Sequence, residues 1–208
     1  MSGHSRVISV QPVVQLLNKT AFWTSAYFYF LRGMSAVLVS GGLIQVFQSW
    51  SVITKFSSVG FFGGLLFQAI FILNLTLLSQ LLWLRAESFR RIPQDSYTLL
   101  RIGAKLSRLF GECFAIGVGL YSIGSGILYW FAGTRAARVV EGALPGYPTY
   151  AFWENNFIHG LSVMITGTIA ALGVLIVSYL VAQALLVLVG NAIKLNAILP
   201  GEDKSEAA

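Results

Sequence analysis

A chain of 208 residues that is 56% hydrophobic and only 11% charged, with a mean hydropathy of +0.73, lies far from the soluble norm of about 25% charged residues and excludes an ordinary water-soluble domain. The net charge of +6 does not signal nucleic acid, because the basic residues cluster at the ends of apolar runs, where anionic lipid headgroups account for them. The single cysteine, Cys113, excludes an intrachain disulfide and any multi-cysteine metal or iron-sulfur site built by this chain alone.

Residues 1–24 carry Arg6 and Lys19, with Val10, Val13, Val14 and Leu17 at roughly helical spacing. A short helix on the membrane surface is expected there, with Ser9 as N-cap and Pro12 in the first turn. Gln11, Pro12 and Gln15 interrupt the apolar run, so a cleaved secretory signal is not expected. The 22 uncharged residues between Arg32 and Lys55 match the roughly 20 needed to cross the hydrocarbon. The first span is placed near 26–48, with Arg32 snorkelling from inside its boundary, and a tight turn follows around Lys55.

The second span, near 59–84, opens with Gly60 and Gly64 in GxxxG spacing, a face that lets another helix approach closely. Gln68, Asn74, Thr76 and Gln80 lie within it and call for interhelical hydrogen bonds or a bound polar ligand. The basic link 85–108 holds six Lys and Arg residues against Glu87 and Asp95. Asp95 and Ser96 read as an N-cap after Pro93. Arg101, Lys105 and Arg108 then fall at i, i+4, i+7 on one helical face, opposite Leu99, Ile102, Leu106 and Phe110. This is an amphipathic interfacial helix, either a plain topogenic charge cluster or a basic docking face for anionic lipid or an acidic soluble partner.

The third span, near 109–132, carries Ala115, Gly119, Ser122 and Gly126 in a small-residue stripe that predicts a helix-packing face. The link that follows, to about residue 156, contains a Leu-Pro-Gly-Tyr-Pro turn and an aromatic belt. From Asn155 to Ile193 run 39 uncharged residues. A single helix of that length measures about 58 Å at 1.5 Å per residue, nearly twice the hydrocarbon thickness, and must tilt, bend or emerge. The fourth span is placed near 157–187, with Gly160, Gly167 and Gly173 allowing close packing, and residues 194–208 form a polar tail. The expected fold class is all-α: a polytopic membrane protein with four transmembrane helices in one domain, 25–193, and short interfacial amphipathic helices. Ten Lys and Arg residues lie outside the spans on the side of the basic link against three on the other, so both termini are expected in the cytoplasm, in a bacterial inner (plasma) membrane.

Few residues suggest chemistry. His4 and His159 are expected on opposite sides of the membrane, which excludes an intrachain bis-histidine haem. His159 beside Gly160 is a candidate ligand for a chlorophyll-type pigment, or simply a hydrogen-bonded interfacial histidine. Glu112 is the one carboxylate inside a span, and its depth matches that of Arg32. An interhelical Arg32–Glu112 ion pair is expected, in preference to a proton or cation relay. No hydrolase constellation, zinc motif or phosphate loop is present. The function expected is therefore a non-catalytic structural or accessory subunit of a larger membrane complex. It packs through its glycine-rich faces against other membrane subunits or itself and offers those faces to lipid, quinone or pigment. Alternatives are a homo-oligomeric channel or small transporter, and a membrane anchor that recruits a cytoplasmic partner through the basic segment.

Overall fold

A computed structural model describes residues 20–93, 97–142 and 156–198. Within them the chain is all-helical: α1 Thr20–Ile53, α2 Ser58–Arg90, α3 Thr98–Gly142 and α4 Asn156–Ile198. Each contains a stretch long and apolar enough to cross a membrane, so the protein is a multi-pass integral membrane protein. The expected N-terminal interfacial helix, the Asp95–Ser96 cap, the Leu-Pro-Gly-Tyr-Pro turn and the polar tail beyond residue 198 lie outside the described residues.

The turn after α1 is short because the helix tightens at its end, with the Lys55 and Phe56 amides donating to the Val52 and Ile53 carbonyls at 3.0 and 3.1 Å. Ser57 then caps α2, its side chain accepting from the Gly60 amide, which satisfies one of the orphan donors of the new helix. Between α2 and α3 the chain reverses through Ile92 and Pro93, and the Thr98 hydroxyl donates to the Pro93 carbonyl at 3.1 Å.

From Thr98 to Ala132 α3 is unbroken. The segment expected to form a separate interfacial helix is instead the first three turns of the spanning helix. Nothing in 98–110 breaks a helix, and Gly103 is tolerated within it. The break comes at Gly133, with φ 80° and ψ 165°, a backbone conformation open to glycine and strained for other residues. Helix resumes to Gly142, where a link was expected.

The helices form an open row. α1 packs on α2, α2 on α3 and α3 on α4; α1 grazes α3, and α4 packs on α3 alone among the described helices. Two apolar clusters hold α1, α2 and α3 together. Near the basic end, Phe28 and Leu31 pack with Leu82, Ala86, Phe89, Ile102 and Leu109. At the opposite end, Ile53, Phe67, Tyr121, Leu128 and Tyr129 form a second cluster.

The α3–α4 seam is closed by small residues on both sides. An added Cβ at Gly111 would lie 2.6 Å from Ser178 Cβ, and one at Gly126 would lie 2.6 Å from the Gly160 carbonyl. Gly167 receives the Ser122 side chain, and Gly119 faces Ala171 at 3.7 Å. Backbones this close gain dispersion contacts that lipid cannot supply, which is how helices associate within a bilayer. Gly173, expected to share this role, meets nothing within 4 Å, because it lies on the other side of α4.

α4 is longer than a bilayer is thick. Trp130 stacks on Phe157 at one end of the seam, and Tyr179 bonds to Glu112 near the other. From His159 to Tyr179 the rise is about 30 Å, the thickness of the hydrocarbon. The 19 residues from Leu180 to Ile198 carry the helix on by about 28 Å past the level of Glu112. On this overhang Leu180, Val181, Val187, Leu188 and Leu195 are exposed.

Candidate functional site

The charged side chains of α2, and those of α3 as far as Glu112, gather at the basic end, and their pairing follows the order of the row. Arg32 was expected to meet Glu112. Instead its Nη2 donates to Glu87 Oε1 at 2.7 Å, because α2 stands beside α1 and supplies the nearer carboxylate. The Arg32 guanidinium also lies 4.2 Å from the Phe28 ring centroid and 4.3 Å from that of Trp83, a favourable seat for a delocalised cation near lipid.

Glu112 pairs with Arg85 on the same intervening helix. Arg85 Nε donates to Oε2 at 2.8 Å, and Nη2 donates to Oε1, a bidentate fork. Tyr179 of α4 adds a third donor, its hydroxyl 2.6 Å from Oε1. One carboxylate thus ties α2, α3 and α4 together. Lys105 donates to the Ser88 carbonyl, closing the same layer between α2 and α3.

Next to this layer lies a cleft of about 230 Å³, lined by Arg91, Ile92, Pro93, Arg101, Ala104, Lys105, Arg108 and Leu186. The three residues that the sequence places on one helical face line it together, joined by Arg91 from the end of α2. Its floor is apolar: Ile92 and Ala104 are buried, and Leu186 of α4 forms the far wall at 37% exposed. Glu87 and Glu112 are both engaged elsewhere, and Arg91, Lys105 and Arg108 meet no carboxylate among the described residues. The Arg108 guanidinium sits 5.6 Å from the Tyr179 ring, while its Nε is buried with no hydrogen bond among the described residues. Ser107 pins the adjoining seam, donating to the Ser178 carbonyl at 2.8 Å.

The other residues singled out in the sequence are dispersed. Gly119, Ser122 and Gly126 lie on the α4 seam, and Ala115 is half-buried. The GxxxG pair divides its work, Gly60 facing Ala132 of α3 and Gly64 facing Ile53 of α1. Gln68 donates to the Val46 carbonyl and to Ser49 Oγ on α1, at 3.1 and 3.0 Å. Asn74 donates to the Gly117 carbonyl on α3 at 3.0 Å. Thr76 bonds back to Ile72 in its own helix, and Gln80 is exposed.

His159 is 2% exposed, its ring packed edge-on to Tyr129 with centroids 4.3 Å apart. The room that Gly160 was expected to leave for a flat pigment is filled by the Trp130 indole and the Gly126 carbonyl. Among the described residues, no three His, Cys, Asp or Glu side chains come together to hold a metal ion.

Sequence reasoning counted Glu87 and Arg91 only in the topogenic charge of the basic link, and passed over Tyr179 and Leu186. A signal existed for Glu87, the one acid between Arg85 and Arg90. Tyr179 and Leu186 carried none, because their roles depend on α4 lying beside α3.

Fold and site together define a multi-pass membrane protein with a layered charge network and a cationic cleft at one end of an open helix row. Comparison with protein-family models, with curated proteins and with solved structures finds no match for this chain.

Proposed function

We propose that the protein is a non-catalytic structural or accessory subunit of a larger membrane complex, placed in a bacterial inner (plasma) membrane with both termini in the cytoplasm. The observation that carries this reading is the α4 overhang. A helix that continues about 28 Å past the level of Glu112 while exposing Leu180, Val181, Val187, Leu188 and Leu195 presents apolar surface that no other described residue covers. Large exposed apolar faces of this kind mark protein-protein interfaces. A channel or transporter is less well supported, because Gln68, Asn74 and Glu112 each bond to a different neighbour and do not converge on one path.

The test is purification from native membranes in a mild detergent, followed by native mass spectrometry and liposome flux assays. A subunit co-purifies with other integral chains in fixed stoichiometry and moves no solute. The pair of substitutions Val187→Gln and Leu188→Gln should disperse the assembly while leaving the helical signal intact. A chain that purifies alone and carries solute across liposomes overturns the reading.

A further inference from the structure

We propose that the cleft lined by Arg91, Arg101, Lys105, Arg108 and Leu186 is a specific site for one anionic phospholipid, held by its phosphate. Three observations converge on it. First, the cations come from two directions. Arg101, Lys105 and Arg108 stand on one face of α3 and Arg91 approaches from the end of α2, so a phosphate between them receives donors from both sides. Arginine forks suit phosphate oxygens, and lysine adds a compact charge.

Second, the described carboxylates nearest to Arg91, Lys105 and Arg108 are used elsewhere. Glu87 is held by Arg32 and Glu112 by Arg85, which leaves Arg91, Lys105 and Arg108 without an acidic partner among the described residues. The positive potential of the cleft is therefore kept for a ligand.

Third, the position and floor of the cleft select a lipid over a free phosphate. Arg108 lies four residues beyond Glu112, about 6 Å past the charge layer and so at headgroup depth, and Lys105 follows about 10 Å past it. The wall facing them is Leu186, on a helix whose neighbouring flank is apolar and exposed. A free phosphate gains nothing from that wall. A phospholipid lays its glycerol and first acyl carbons along it while its phosphate faces the cations, satisfying both halves of an amphipathic cleft.

The experiment uses the full chain in detergent, equilibrated with equal amounts of phosphatidylglycerol and phosphatidylcholine and read by native mass spectrometry. One phosphatidylglycerol should stay bound under activation that strips phosphatidylcholine. Arg91→Gln and Arg108→Gln should each lower its retention about fivefold, the effect of one basic residue at an anionic surface. Lys194→Gln, at the same end but outside the cleft, should leave it unchanged, and glycerol phosphate in excess should not displace it. Equal retention of the two lipids overturns the proposal. So does an equal loss in the Lys194 variant, which means general surface attraction. Displacement by glycerol phosphate also overturns it, since the site then reads a soluble phosphate. The lipid comparison on the unaltered chain decides the matter even if a variant fails to fold.

Discussion

At Glu112 three helices depend on one side chain. Its carboxylate is mostly shielded, 12% exposed against 37% for Arg85, so the pair lies between the surface and fully buried regimes. Removing one partner of a buried pair costs about 3–5 kcal/mol and of an exposed pair about 0–1. Glu112→Gln should fall between, at about 1–3 kcal/mol, read as a lower melting temperature in detergent. Adding Arg85→Gln should recover part of that loss. Arg32→Gln should cost less than 1 kcal/mol, since Arg32 and Glu87 are both partly exposed, and its effect should add to that of Glu112→Gln. Coupling between Arg32 and Glu112 in such a cycle, with none between Arg85 and Glu112, would contradict the pairing. The depth of these residues was legible in the sequence, because an ionised side chain in an apolar run must lie near a boundary. Their lateral order was not. Arg32, Arg85, Glu87 and Glu112 share a level, and only the placement of α2 between α1 and α3 decides which carboxylate each arginine reaches.

Among the elements, α3 and α4 are distinguished by the closeness of their seam. Gly167→Leu would drive a side chain into Ser122 and separate the backbones, with an overpacking cost of about 1–3 kcal/mol. The same change at Gly173, which meets nothing within 4 Å, should leave the melting temperature unchanged. If the two variants behave alike in a thermal scan, the seam is misplaced. The stripe on α3 could be read in advance because spacings of four and seven put Gly119, Ser122 and Gly126 on one side of a helix. The matching stripe on α4 was only half legible. Gly160 and Gly167 belong to it, but Ala171 and Ser178 do as well, and these small residues carry no signal within a uniformly apolar run. Continuity of α3 was missed for a related reason. Charge suggests the end of a span, whereas the backbone responds to breakers, and the first departure from helical geometry is at Gly133.

For the whole molecule, the open row makes a geometric prediction. The Gly119 and Ala171 positions would bring two Cβ atoms 3.7 Å apart, within the range of a disulfide. In a Cys113→Ser background, Gly119→Cys with Ala171→Cys should cross-link in membranes on mild oxidation. Ser40→Cys with Leu172→Cys, at similar depth on α1 and α4, should not, because those helices do not touch. A closed bundle would cross-link both pairs. Four spans could be counted from hydropathy alone, since crossing about 30 Å of hydrocarbon takes some 20 apolar residues. Whether the four close on themselves depends on side-chain shape at each seam, which hydropathy does not encode.

The row also bears on how the chain is made. Helices that pack mainly on their neighbours in sequence have low contact order, and such topologies assemble quickly with little loop-closure entropy to overcome. Each helix can dock on its predecessor as it leaves the ribosome, without waiting for a distant partner. Of the described helices α4 follows α3, and until it arrives the Gly119, Ser122 and Gly126 face of α3 stands open to any other small-residue helix in the bilayer. The stage between synthesis of α3 and docking of α4 is where mispairing would begin.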